Sequence, residues 1–518
     1  MGHERRSFTL TSNTCFLSSQ STNAMAQKLD FTTFRNVIDG NLCGGSTGQA
    51  QGTMDPALLE RNPEAPISTY NDVDKAVKAA QAASKKWAAV PWAERQVALG
   101  NYADAFEANR DDLAKMLVRE QGKSLSEAQF EVQMGLNMLR GFSDMTLPEE
   151  ILEDSAERKV VTRYIPIGVV VGIEYSRGWQ FFDNSYALVP WNYPVMLAAG
   201  KLGAAIVAGN AFILKPSPFA PYSNLKMAEL GIPIFPPGVF QALNGQDDLG
   251  PWLTEHPGVG LVSFSGSGGV GKKIMESCSR TLKRVILELG GNDPAVVCSD
   301  IDPGAVAPKL CFFAFANSGQ ICAQPKRIYV HADVYDDVLS AMVTYARNIS
   351  LDQGEGLGAI GPVSTEPQYE RVKALLRGIE ESKLRVAVGS TKPLTDRKGF
   401  FLSPTIVEDP PDDASIVVEE PFGPVLPILK WSDESDVIRR ANDSQYGLGA
   451  SVWSKDINQA ERIARQLEAG TVWINTHMEI GPAWPFGGHK MSGIGCEWGL
   501  EGLKGYCNLQ TIHSRLAG

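Results

Sequence analysis

Short apolar segments rich in β-branched residues alternate with helix-like runs over two long stretches of this 518-residue chain. That rhythm leaves few folds open. In residues 190–290, AAIVAGNAFILKPS, GVGLVSFSGS and KRVILELGG read as strands ending at Lys215, at a glycine run and at Glu288. In residues 292–474, PAVVC, RIYVH, LPILKW, GASVWS and GTVWIN repeat the pattern. Continuous apolar strands separated by helices belong to parallel sheets covered on both faces. Two α/β units are therefore expected, and the length exceeds what one core usually serves. Helices precede them. Val73, Val77, Ala80, Ala83 and Trp87 recur at helical spacing, and a second helical run follows Pro91. VVTRYIPIGVVVGI, residues 160–173, reads as strand.

Several function classes drop out early. The net charge of −11 argues against a nucleic-acid or anionic-membrane partner. Eight cysteines are scattered without a C-x-x-C pair, so no disulfide framework and a reducing compartment are expected. There is no H-E-x-x-H among the six histidines, and no metal site is expected. The longest apolar run, VPWNYPVMLAAGKLGAAIVAG, is broken by Asn192, Pro194 and Lys201, so it does not read as a membrane span. The first 24 residues are Ser/Thr-rich with Arg5 and Arg6. They read either as an extension upstream of a start at Met25, the preferred reading, or as a mitochondrial transit peptide. A cytoplasmic location follows from the first, a mitochondrial one from the second.

FSGSGGVGKK, residues 264–273, fits two phosphate-binding patterns. A P-loop needs Ser or Thr after its lysine to bind Mg²⁺, but Lys273 follows Lys272. The dinucleotide fingerprint is matched by Gly266, Gly268 and Gly271, between a strand and a helix-like run. Glu288 stands 22 residues after Gly266, where an acid could hold a ribose. A plain strand-to-helix turn would look the same, and two strands precede this one instead of following it.

Other segments decide between these readings. They are PWNYP (190–194), ILKPS (213–217), LELGGNDP (287–294), NSGQIC (317–322), EEPFGP (419–424) and PFGGHKMSGIG (485–495). In this order, and with Cys322 placed 34 residues after Glu288, they resemble the aldehyde dehydrogenase superfamily over residues 34–513. LKPSPFAPYS and ELGGNDP are similar to a fungal and actinobacterial branch.

The resemblance implies an α/β, aldehyde dehydrogenase-like fold. Residues 31–155 and 169–289 would form a Rossmann-type cofactor-binding domain, and 290–480 a second α/β catalytic domain. Residues 156–168 and 497–518 would supply a small β oligomerisation unit, with residues 1–30 as a disordered extension. It implies a homodimer or homotetramer that oxidises a small aldehyde to the acid. Cys322 would be the nucleophile, Glu288 the base for water, and Asn192 with the Cys322 backbone N–H the oxyanion donors. Trp191, Lys215, Ser217, Gly266, Ser267, Gly271, Leu289, Glu420 and Phe422 would contact the cofactor, and Phe486 the substrate tunnel. Under the resemblance the glycine stretch receives the pyrophosphate, Gly268 completes the fingerprint partly by coincidence, and Glu288 is not a ribose ligand.

Three departures from the pattern matter. Pro218 stands where relatives preferring NAD often carry an acid; NAD is the expected cofactor, with NADP also admissible. Residues 174–188, EYSRGWQFFDNSYAL, are an insertion expected to split a central strand just before Asn192. Either a retained in-frame intron or an extruded loop would explain it. Gln324 and Pro325 stand where relatives mostly carry small or apolar residues, and are expected to reshape the pocket near the thiolate. Two rival readings accompany the main one. A catalytically impaired relative with a binding role is favoured by the insertion. A coenzyme A-acylating enzyme is disfavoured by the presence of Glu288.

Overall fold

The computed structural model describes residues 28–174, 191–353 and 359–515. An eight-stranded sheet holds Arg284–Glu288, Leu261–Ser265, Val169–Glu174, Ala211–Lys215 and Phe240–Ala242 as parallel neighbours in that order. Its edges are antiparallel: Gly493–Ile494 on one side, Asn36–Ile38 and Asn41–Cys43 on the other. A seven-stranded sheet is parallel from Thr405–Glu408 through Val425–Trp431, Pro325–His331, Asp293–Val297 and Gly449–Trp453 to Thr471–Ile474. A third, antiparallel sheet joins Glu150–Asp154, Arg158–Pro166 and Cys507–Arg515. The strand-like run of residues 160–173 thus serves two sheets. It changes sheet at Ile167-Gly168, where Gly168 takes φ 118°, a value that favours glycine.

One correction to the sequence reading concerns the elements around residues 194–215. AAIVAGNAFILKPS is not one strand. Its first half ends the helix Pro194–Ala208, Gly209 caps that helix in the left-handed region, and only Ala211–Lys215 is strand. This helix is apolar around its whole circumference, and all 15 residues are buried, as such a pattern requires. Pro194 at its first turn loses no hydrogen bond there. The strand Val169–Glu174 keeps both parallel ladders up to the start of the insertion, with Ile173 opposite Lys215 and Phe264 and Glu174 opposite Ser265. The rest of the insertion, residues 175–188, and with it the expected split, lies outside the described residues.

The helical region holds Tyr70–Ala88, Trp92–Ala108 and Arg110–Gln121, with Val73, Val77, Ala80, Ala83 and Trp87 all buried. A further helix, Leu125–Asp144, went unread in the sequence. Its signal was a capping box: Ser124 accepts from the Glu127 N–H while the Glu127 side chain reaches back to Ser124. Among the described residues no helix is long and apolar enough to cross a membrane.

Candidate active site

Cys322 sits in a turn that joins the helix Pro303–Phe315 to the strand Pro325–His331. The chain runs left-handed through Asn317, Ser318 and Gly319 (φ 49°, 58° and 74°). A Cβ on Gly319 would lie 2.1 Å from the Gly423 carbonyl oxygen, so only glycine fits. Side chains from elsewhere hold this strained turn. Glu127 accepts from the Asn317 N–H at 2.5 Å, and Gln121 donates to the Asn317 side chain at 3.1 Å. Gln324 accepts from the Ile321 N–H at 3.0 Å and donates to the carbonyls of Phe313 and Ala316 at 2.8 and 2.9 Å. That gives the unusual Gln324 a function: it fastens the nucleophile loop to the end of the preceding helix.

Glu288 ends its strand beside this turn, and its carboxyl lines the same cavity as the Cys322 thiol, with its buried Oε1 left without a hydrogen-bond partner among the described residues. Burial pushes Glu288 up to about 7. It also raises Cys322 well above an ordinary thiol, and the neighbouring Glu288 charge adds to that. Asn192 donates its side-chain amide to the Gln320 carbonyl at 2.9 Å, which leaves a second amide hydrogen for a ligand. Lys123 and Asn317 hold the Asn192 carbonyl at 2.8 and 3.3 Å, and Lys123 is itself paired with buried Glu131.

A cavity of about 1020 Å³ runs from these groups to the N-terminus of the helix Gly268–Ser279. Asn192, Glu288, Cys322, Glu420, Phe422, Gly266 and Ser267 all line it. At the helix end a Cβ on Gly269 would meet nothing within 4 Å, and one on Gly268 only the Met491 carbonyl oxygen at 4.0 Å. Backbone N–H groups and the positive end of the helix dipole are therefore open to an anion such as a pyrophosphate. The residues present thus fit a dinucleotide. Glu420 can approach the LELGG turn because Gly290 has no side chain; a Cβ there would lie 2.3 Å from its Oε2.

Six of the site residues read from the sequence do not line this cavity. Trp191 is fully buried and packs edge-on against Phe422 at 5.7 Å. Lys215, the last residue of its strand, and Ser217 just beyond it are buried, with Lys215 donating to the Pro216 carbonyl at 2.9 Å. Gly271 presses its helix against Leu289, whose Cδ2 would lie 2.8 Å from a Cβ there. Phe486 stacks on Trp498 at 5.1 Å.

Sequence reading missed a buried cluster behind Glu288. Lys201 lies 2.5 Å from Glu497 and 3.0 Å from the Ser263 hydroxyl, and the Tyr506 hydroxyl reaches Ser263 at 3.1 Å. Lys201 draws the Glu288 carboxyl down while Glu497 pushes it up. The available signal was a lone lysine within an otherwise apolar helix, and an unpaired buried charge is costly. Lys326 was missed as well; it donates to Cys322, Gly291 and Glu420. Among the described residues no group of His, Cys, Asp or Glu could hold a metal ion.

Known proteins are similar to this chain over nearly its whole length. The model of the aldehyde dehydrogenase family matches residues 45–512. Aldehyde dehydrogenase LUC3 of a Fusarium species is 37% identical over 487 residues, covering 94% of this chain and 99% of that protein. Phenylacetaldehyde dehydrogenase of Pseudomonas fluorescens is 33% identical over 92% of this chain and 95% of its own length. The NAD⁺ complex of an aldehyde dehydrogenase from Bacillus cereus superposes with a TM-score of 0.87 at 31% identity, covering 93% and 97% of the two chains. An NADP-dependent enzyme of E. coli gives 0.88 at 31% identity, covering 94% and 99%. On a family match of that extent, this chain belongs to the aldehyde dehydrogenase family.

Proposed function

We propose that the protein oxidises an aldehyde to the carboxylic acid with NAD or NADP as acceptor, through a covalent intermediate on Cys322. The observation that carries this reading is that Cys322 and Glu288, whose buried Oε1 has no partner among the described residues, line one cavity together with the open glycine turn. Glu288 takes the thiol proton, and the thiolate sulfur bonds the carbonyl carbon. The second amide hydrogen of Asn192 and the Cys322 backbone N–H hold the oxygen as it gains charge. The nicotinamide supplies the acceptor for the hydride that leaves carbon. Cys322 then carries a thioester. Once Glu288 has passed the thiol proton to solvent, its carboxylate deprotonates a water, which adds to the thioester carbon, and the C–S bond breaks to release acid and thiolate.

Ser267 and the backbone N–H groups of Gly268 and Gly269 hold the pyrophosphate. Glu420 takes the nicotinamide-ribose hydroxyls, and Phe422, braced by Trp191, sits beside the ring. Lys215 and Ser217 serve the adenosine ribose, where Pro218 neither repels nor attracts a 2′-phosphate. Phe486 borders the aldehyde's path. The eight-stranded sheet acts as cofactor domain and the seven-stranded sheet as catalytic domain. Ile151, Leu152, Leu509 and Ile512 are exposed on the third sheet, which supports pairing with a second copy of the chain.

The test uses the full chain with NAD or NADP and short aliphatic, long aliphatic and aromatic aldehydes, followed by absorbance of the reduced nicotinamide. Turnover should fall by more than about 10⁴-fold in Cys322→Ala. In Glu288→Gln a stoichiometric burst should stall, with the acyl mass found on Cys322. Turnover that survives in Cys322→Ala, or that requires coenzyme A, overturns the reading.

A further inference from the structure

Lys326 follows the nucleophile by four residues and is nearly buried, with 5% of its side chain exposed. Its ammonium has three hydrogens. They meet the Cys322 carbonyl at 2.6 Å, the Gly291 carbonyl at 2.8 Å and Glu420 Oε1 at 2.6 Å. One cation thus joins the nucleophile turn, the turn that follows Glu288 and the carboxylate read as the nicotinamide-ribose ligand. It also lies 5.6 Å from the Phe422 ring centroid. The Gly291 N–H reaches the same Glu420 oxygen at 3.3 Å, and Arg371 fixes the Glu420 backbone carbonyl at 2.9 Å.

We propose that Lys326 is a positioning residue that couples the cofactor-binding carboxylate Glu420 to the Cys322 nucleophile. The proposal rests on the roles given above to Cys322 and Glu420. Both partners compete for one charge. Lys326 favours the Cys322 thiolate, whereas Glu288 and Glu420 disfavour it. Glu420 quenches part of the lysine charge through their ion pair. A ligand hydroxyl that engages Glu420 draws its negative charge away from Lys326, and the thiolate gains. The buried Asp293 and His477 also face Lys326, and neither touches Glu420 Oε1. The signal therefore passes through the three atoms that Lys326 holds.

The test reads the pH midpoint of Cys322 alkylation by iodoacetamide, followed by intact mass on the full chain, with and without NAD. In Lys326→Met the midpoint should rise by about one pH unit, and in Glu420→Gln it should fall. The opposite signs are what a merely structural role cannot give. KM for NAD should rise about tenfold in Lys326→Met, with kcat less affected. Combined with Glu420→Gln, the increase should be smaller than the product of the two. Midpoints unchanged in both variants, or shifted in the same direction, overturn the coupling. Should Lys326→Met fail to fold, Glu420→Gln decides alone: no fall in its midpoint overturns the proposal. Alkylation that does not modify Cys322, together with turnover persisting in Cys322→Ala, instead overturns the catalytic reading beneath it.

Discussion

The glycine turn at residues 266–272 and the nucleophile turn at residues 316–326 line one cavity from two different sheets, and they are built by opposite means. The first works by omission: open space surrounds Gly268 and Gly269, and the one side-chain cap is Ser267 accepting from Val270 at 3.4 Å. The second works by restraint, since left-handed residues there are held by Gln121, Glu127, Gln324 and Lys326. A site for a diffusible anion needs bare N–H groups. A nucleophile needs a single position, and strained backbone persists only where its surroundings over-determine it.

Four substitutions probe that contrast, in falling order of effect. Gly319→Ala puts a methyl group against Gly423 in the restrained turn. It should cost about 4 kcal/mol of stability by denaturant melts, and more than about 100-fold in kcat. Glu288 stands between the turns, its carbonyl accepting from the Gly266 N–H at 2.9 Å and its carboxyl facing Cys322. With the carboxyl raised to about 7, kcat should fall about tenfold per pH unit below that value. Stability should run the other way. The folded state keeps its proton between pH 4.5 and 7 while the unfolded chain releases it, so wild type loses about 3 kcal/mol across that window and Glu288→Gln does not. Parallel denaturant melts at pH 5 and pH 8 check this.

Gln324→Ala removes four hydrogen bonds, three of them to carbonyls at the end of the preceding helix, for a loss of about 2 kcal/mol. Its kcat should drop while KM for the cofactor stays. In the open turn, Gly269→Ala should change stability by less than about 0.5 kcal/mol and kcat/KM by less than about twofold. A large loss at Gly269, or none at Gln324, would break the contrast.

What the sequence could reveal follows the same division. The alternating strands, the glycine turn and the family motifs are local patterns, written within a few consecutive residues. The ties are not local. Lys201 meets Glu497 across 296 positions, and Gln121 meets Asn317 across 196. No periodicity announces such pairs. Lys201 looked like an interruption of an apolar run, and Gln324 an oddity. Both proved to be fully enclosed and bonded. The helix Leu125–Asp144 was legible from its capping box, yet it went unread because its flanks carry no strand signal.

The clamp on Glu288 has a consequence for the order in which the molecule is made. The base's strand is edged by Gly493–Ile494, the Leu289 N–H donates to the Ser492 carbonyl, and the Ser492 hydroxyl holds the Gly290 carbonyl at 2.7 Å. Lys201 waits for Glu497, and Ser263 for Tyr506. A growing chain therefore carries Cys322 and Glu288 long before the residues that fix them exist. Chains grow from the N-terminus and fold as they emerge, so an unfinished chain has the Cys322 thiol but lacks the contacts that fix the Glu288 turn beside it. Competence arrives only with the last few dozen residues, and a chain cut short in its final segment should be inert, however well the rest has folded.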